Sequence, residues 1–529
     1  MDASVWRIDS IILETDIARA AGLRLRQQAR PQTRRRARRH NASHFETMCP
    51  VFRGGERHPG VFPELRAGRK ASVARSHARG NATEGLRLDI VAAMVHTENS
   101  PEAAAALDIQ PVIVGGDIGA YSLARAFHEA YGVKSIVVSA KLGWQIARSA
   151  IIDNVLCEDP MDPGVLAPSL TAIAEKIGAE RPNAQVILLG SADATVKSII
   201  RVRDELGAMD PAWIVPYVGL EAFEAGTEKN NFTRLCEKLG VDHPETVIVD
   251  LAAGVPESFD LPFNYPVIAK PADVSAWKRT SFVGKSKVHT VANEQDLRSL
   301  FAKIHGAGYR KAIIVQDLIP GDDQNMRILT AYCDRNSRIR FASWGRTLLE
   351  EHTPGAIGNP AAIVSGVNRE AVAQAQKIVS ELGWTGYANF DLKYDPRTGR
   401  TVFFELNPRL GRSNYYITAA GHNPVTYYVN EHILDALGEP GEIVQDQPET
   451  LYTVVPVALV KHYTRDPESR AILKRVLKAR RVKNPLNYRG VEKDPKRWFY
   501  YYAALVNYVK KFRTHYKPDT ADVQASGEK

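Results

Sequence analysis

The stretch "NFDLKYDPRTGRTVFFELNPRLGRS", Asn389 to Ser413, decides how this chain is read. "YANFDLKY" and "TVFFELNP" alternate apolar and polar residues around the turn-rich "DPRTGR", which predicts an antiparallel hairpin. With the turn centred near Thr398, Asp391 stands opposite Glu405 and Asn389 opposite Asn407. Directly opposed residues have Cβ atoms roughly 4.5–5.5 Å apart. Alternation sends Glu405 and Asn407 to one face and Phe404 and Leu406 to the core.

Two carboxylates held that closely repel, and one tends to stay protonated. A hard cation removes the conflict: Mg²⁺, or Mn²⁺ in its place, takes carboxylate oxygens and completes its shell with water and phosphate oxygens. Asp391, Glu405 and Asn407 are therefore candidate metal ligands, with Arg409 immediately beyond them. Two acids alone would read as a solvated hairpin face. An acid-bearing strand, a glycine turn and then "FFELNPR" form a more specific composite.

A metal that handles phosphate needs basic groups for the same phosphate. Lys270 ends the apolar strand "YPVIAKPAD", and Lys229 opens the helix "EKNNFTRLCEKLGV", where the helix dipole favours anions. In "SFVGKSK", Gly284 permits close backbone approach, while Ser281, Lys285 and Lys287 supply donors. Gln316, Asp317 and Leu318 in "VQDLIPGDD" offer strand-edge backbone groups to a base, with Asp323 in reach of a ribose. Each lysine alone reads as a surface charge, and only their order along the chain points to a nucleotide.

The 529 residues suffice for two to four domains. The net charge of +9 is uneven: Ala21 to Gly80 holds 15 Lys and Arg against 3 Glu, a net of +12, so the rest sums to −3. "PQTRRRARRH" suits nucleic acid, an anionic membrane or a plain extension. Residues 1–106 have little periodicity and read as a basic, disordered extension, with "GLRLDIVAAMVH" as one short helix. Cys49, Cys157, Cys236 and Cys333 form no CxxC pair, which fits a reducing compartment and gives no sign of structural zinc. No run is long and apolar enough to span a bilayer, and the first twenty residues lack a secretory pattern, so the expectation is a cytoplasmic protein.

Residues 107–225 alternate strands and helices, which predicts a small parallel sheet covered on both faces. "GGDIGA" after its first strand is either a tight turn or, through Gly115, Gly116 and Asp117, the wall of a small-molecule pocket. From Gly226 to about residue 435 the pattern becomes mixed α and β, with "GRTLLEEHTPGAIGNPAAIVS" reading as a long insertion between strands. Residues 436–529 read as a basic, aromatic helical extension.

"EKNNF", "PVIAKP", "TSFVGKSK", "VQDLIPGDDQNMR", "NFDLKYDPRTG" and "FFELNPRLGRSN" together resemble the ATP-grasp superfamily over roughly residues 107–435. "PVIVGGDIGAYSLARAFHEAYG" and "EHTPGAIGN" bring the resemblance nearest to carboxylate–amine ligases of the D-aspartate ligase kind, which add an amino acid to the peptide stem of peptidoglycan precursors. The resemblance implies an α/β fold in which a small parallel Rossmann-like domain precedes the two α+β subdomains of an ATP-grasp fold. It implies ATP as co-substrate, with Lys229 and Lys270 on the nucleotide and its phosphates and Ser281 to Lys287 as a flap. Gln316 to Leu318 would hold adenine and Asp323 the ribose. Asp391, Glu405 and Asn407 would hold one or two Mg²⁺ ions. Arg409 would face the reacting centre, with Arg327 a second candidate for the substrate carboxylate or developing oxyanion. Asp391 stands where the superfamily often has Glu, another hard oxygen donor.

The implied activity joins a carboxylate to an amine through an acylphosphate, so the partners are an amino acid and an amine-bearing peptide or small molecule. No GxSxG, HExxH or Cys–His pattern supports a hydrolase. The aromatic and basic stretch "KRWFYYYAALVNYVKKFRTHY" lacks a stacking module for nucleic acid. It suits either peripheral contact with an anionic membrane surface or packing on the ligase core. Two other readings stand beside wall ligation: a ligase of small metabolites, and a non-catalytic nucleotide-binding scaffold.

Overall fold

A computed structural model describes residues 107–516 apart from Asp210, Pro211, Lys287 and Pro440, so the basic amino-terminal segment, with the short helix expected in it, lies outside the described residues. Five parallel strands open the described chain: β1 (Ile109–Val114), β2 (Ser135–Ser139), β3 (Ile152–Leu156), β4 (Gln185–Gly190) and β5 (Trp213–Ile214). They lie in the order β3-β2-β1-β4-β5. β1 is buried along its whole length, as a central parallel strand covered on both faces must be. The helix Ile118–Tyr131 follows it, capped by Asp117, whose carboxylate accepts from Ala120 N at 3.0 Å.

A second, antiparallel sheet has the order β6-β9-β7-β8, from β6 (Thr246–Asp250), β7 (Val267–Pro271), β8 (His289–Val291) and β9 (Ala312–Asp317). One of its faces packs Val249, Val267, Ala269 and Val315 against Trp277 and Phe301 in a core of its own.

The largest sheet runs β14-β13-β10-β11-β12-β15-β16. Its strands are β10 (Met326–Cys333), β11 (Ile339–Glu350), β12 (Pro360–Gly366), β13 (Gly386–Asp395), β14 (Arg400–Asn407), β15 (Leu451–Thr453) and β16 (Val482–Lys483). Its core is continuous with that of the parallel sheet.

Two expectations need correction here. "GRTLLEEHTPGAIGNPAAIVS" is no insertion: it is the end of β11, a short loop and β12. Leu348, Leu349, Ile363 and Val364 are all buried, so these interior strands lack the alternation that marks a half-exposed strand. Residues 436–529 are also more than a helical extension, because "LYT" at Leu451–Thr453 joins the large sheet as β15, beside β12. Further on the chain returns to the first module. Tyr121 OH donates to Glu492 Oε1 at 2.9 Å, and Arg125 donates to the carbonyl of Pro485 at 2.7 Å. The last helix, Pro495–His515, buries Arg497, Tyr501 and Phe512 and exposes Phe499 and Tyr500. Among the described residues no helix is long and apolar enough to cross a membrane.

Candidate active site

The hairpin β13–β14 forms with Asn389 opposite Asn407 and Asp391 opposite Glu405. One residue further the register shifts, so that Leu392 faces Phe403 and one residue of β14 is left over. This bulge reverses the alternation expected for the phenylalanines. Phe403, not Phe404, enters the core, with its ring 5.4 Å from Phe390, and Leu406 joins it. The polar face keeps its composition. Thr330 shares that face and donates to Asn389 Oδ1 at 2.8 Å. Asn407 Nδ2 donates to Asp391 Oδ2 at 3.0 Å and to the Asn389 carbonyl at 3.2 Å.

Burial, reinforced by the neighbouring Glu405 carboxylate, pushes the Asp391 carboxyl up to about 6. That is the electrostatic signature of two acids held close together. The donor set fits a divalent hard cation: two opposed carboxylates, plus an amide whose N–H groups bond inward and whose Oδ1, among the described residues, accepts only from Arg409 Nη2, at 3.5 Å. Among the described residues no group of three or more His, Cys, Asp or Glu gathers for a metal, so such an ion would complete its shell with water or phosphate.

Lys229 opens the helix Lys229–Leu239 and reaches Glu405 Oε2 at 3.4 Å, which ties the hairpin to the second sheet's surroundings. It also lines a cleft of about 860 Å³ with Arg234, Ile248 and Arg310. The register of β6, β7 and β9 sets Ile248, Lys270, Ile314 and Gln316 on one sheet face, opposite the small core. The loop with Ser281, Gly284 and Lys285 is exposed, with Gly284 at φ +83°. Lys285 Nζ donates back to the Thr280 carbonyl at 2.6 Å.

At the hairpin's end, Arg409 Nε lies 2.9 Å from Asp193 Oδ1, at the start of the helix Asp193–Arg201 after β4. Arg412 pairs with buried Glu351 at 2.9 Å and lies 3.9 Å from Asp117. Burial opposes the Arg412 charge, yet Glu351 and its neighbours raise its pKa above the usual range. Of the two readings of "GGDIG", Gly115 follows the tight-turn one: at φ +144°, an added Cβ would strike the Ser191 side chain. Asp117 faces the Arg412 loop as well as capping its helix. Asp193, Glu351 and Arg412 were not singled out from sequence. Asp193 had a signal, since it lies beyond the carboxyl end of a parallel strand, where such sheets place functional residues.

Three expected roles meet a different geometry. Arg327 is opposite Leu392, while Ile328 is opposite Asp391, so one step of alternation turns Arg327 to the reverse face of the sheet. It is not with Arg409. β9 is no edge strand, for it lies between β6 and β7 and the Asp317 N–H donates to the Glu245 carbonyl. Arg397 holds the Asp317 carboxylate, and Leu318, just past the strand, is the one of the three outside the ladder. Asp323 is buried, accepting from Glu350 N and contacting His352 Nε2, both at 2.9 Å, so its carboxylate is engaged within the fold.

No family model matches the chain. Among solved structures, it is similar to the biotin carboxylase of Campylobacter jejuni (16% identity, TM-score 0.45, 64% of this chain and 73% of that one). It is also similar to the L-amino acid ligase of Bacillus licheniformis (15% identity, TM-score 0.42, 63% and 74%). The carbamoyl phosphate synthase large chain of Archaeoglobus fulgidus is 23% identical over 367 residues, which are 66% of this chain and 32% of that one. The D-aspartate ligase of Enterococcus faecium (strain Aus0004) is 30% identical over 414 residues, 77% of this chain and 96% of that protein. With that extent of likeness, the chain belongs to the D-aspartate ligase family, ATP-dependent carbon–nitrogen ligases of the ATP-grasp fold.

Proposed function

We propose that the chain joins an aspartate-like amino acid to the amine of a peptidoglycan precursor peptide, through an acylphosphate. The observation that carries the chemistry is the gathering of Asp391, Glu405, Asn407, Lys229 and Arg409 around one hairpin end. The likeness to a D-aspartate ligase supports the choice of amino acid. Asp391, Glu405 and Asn407 hold Mg²⁺ in this reading; when bound, the ion supplies charge neutralisation at the transferring phosphoryl group.

Lys229 and Lys270 hold the phosphates of ATP, and the backbone at Leu318 takes the base. A carboxylate is a poor electrophile, and attack of its oxygen on the γ-phosphorus, with ADP leaving, turns it into a good one. The amine then attacks the acyl carbon and expels phosphate. Arg409 steadies the oxygen of the tetrahedral intermediate, as a fixed donor aimed at developing charge does. The loop from Ser281 to Lys285 closes over the site and keeps water from the acylphosphate.

The test is ADP and phosphate release from Mg-ATP with D- and L-amino acids, each with and without a nucleotide-linked muramyl peptide. Release that needs one acidic amino acid plus the peptide, and disappears in Glu405→Ala, supports the proposal. Turnover with small amines alone replaces the acceptor with a small metabolite, and absence of ATP binding rejects the reading outright.

A further inference from the structure

On the reverse face of the large sheet lies a cavity of about 560 Å³, within the range of small-ligand pockets. Arg327 is part of its lining. The residue is only 7% exposed, and its Nη1 donates to the carbonyls of Gln324 at 2.6 Å and Met326 at 2.9 Å. Among the described residues no acceptor is recorded for its Nε or Nη2, and it makes no ion pair. Directly opposite on β11 stands a second guanidinium, Arg346. Arg346 is neutralised by a two-pronged pair with Glu468, at 2.9 Å for both contacts. Arg327 therefore lacks a directly bonded counter-ion: burial together with Arg346 pulls its pKa down to about 9, against the smaller opposing pull of Glu468 and Asp466. A buried guanidinium in that state is a prepared site for a carboxylate.

Acids line the same cavity: Asp466, Glu468 and exposed Glu370. Asp466 also caps the helix Pro467–Lys478, its Oδ2 accepting from Ser469 N at 2.7 Å. Arg327 and Asp466 are tied together by buried Gln324. Its carbonyl accepts from Arg327, while its side-chain Oε1 accepts from the backbone N–H of Arg465 and Asp466 at 2.8 and 2.9 Å. Trp344 and Tyr394 line the cavity too, the latter with its ring 5.7 Å from the Arg327 guanidinium. A buried cation, aromatic rings and acids around one cavity are the complement of a small zwitterion. We propose that this cavity is a second binding site, for a free amino acid or dipeptide taken carboxylate-first onto Arg327 with its ammonium toward Asp466 and Glu370. Facing away from Asp391, it is separate from the ligation site and does not depend on the reading given for that site.

The test is calorimetric titration of the full chain without nucleotide, using L- and D-alanine and L- and D-aspartate, each also as its N-acetyl and its amide derivative. At least one free amino acid saturates, and its two blocked forms bind at least about tenfold more weakly. Arg327→Met weakens the free form by a similar factor, whereas Arg409→Ala, at the ligation site, leaves it unchanged. Equal binding by Arg327→Met and the parent overturns the proposal, as does failure of every free amino acid to bind. Should Arg327→Met not unfold cooperatively on heating, Glu468→Gln decides. It frees Arg346 and removes a lining anion, so preference for the free over the N-acetyl form falls, and an unchanged preference overturns the proposal.

Discussion

Arg409 Nε and Asp193 Oδ1 approach to 2.9 Å across the junction of the parallel sheet and the hairpin, yet neither atom completes an aligned hydrogen bond. The contact is a Coulombic tether that holds the guanidinium near the acidic pair without using its directional capacity. Arg409→Ala is expected to lower kcat by roughly 10²–10³-fold with little change in ATP affinity, as loss of an oxyanion donor does. Asp193→Asn, which loosens the tether but leaves the arginine, should cost far less. Steady-state kinetics of both variants separate the two roles.

Asp391 gives the site a pH signature. Between the ordinary value of 3.8 and about 6, the folded chain keeps a proton that the unfolded chain has released. The metal-free fold therefore loses stability as pH rises through that window. Mg²⁺ competes with that proton, so its stabilising effect should be full above the window and fade as pH falls through about 6. Asp391→Asn should stabilise the metal-free protein above the window by about 1–2 kcal/mol after allowance for screening, and abolish turnover. Thermal unfolding with and without Mg²⁺ across the window reads both effects.

In the exposed loop around Gly284, Lys285 Nζ donates to the Thr280 carbonyl and lies 5.7 Å from the Trp277 ring, against which Phe282 also packs. If the loop closes over phosphates, Mg-ATP should slow tryptic cleavage after Lys285 by at least about fivefold, since cleavage tracks the population of the open form. Timed digestion followed by mass spectrometry measures this directly, and unchanged cleavage would reject the loop as a flap.

Glu492 is 3% exposed and accepts from Tyr121 OH, Ser149 Oγ and Ala150 N at 2.6–2.9 Å, with Arg497 Nε at 3.3 Å. Removing one side of a buried charge pair leaves the other uncompensated. Glu492→Ala should therefore lower the unfolding free energy by about 3–5 kcal/mol. Urea denaturation provides the measurement.

The hairpin was legible in the sequence because alternation and a glycine turn both fix its register, so the opposition of Asp391 and Glu405 follows from counting. The bulge beyond it was not, since nothing in "TVFFELNP" distinguishes Phe403 from Phe404 as the inward residue. Arg327 illustrates a second limit: a basic residue next to a motif lies on either face of a strand, and a step of one residue decides which. Asp193 meets Arg409, and Arg412 meets Glu351, only through tertiary packing, and no local pattern joins positions so far apart. β15 escaped notice because it is a three-residue strand whose pairing partner lies in a distant stretch.

Tyr121 and Glu492 are 371 residues apart in the chain. At about 5–20 residues per second of synthesis, one side of that contact waits on the order of 20–70 s for the other to leave the ribosome. During that interval the parallel sheet's first helix displays Tyr121 and Arg125 uncovered. The cover over that helix is thus completed only when residues 485–492 arrive, and a nascent chain stalled before residue 485 would be a client for chaperones and not an early form of the enzyme.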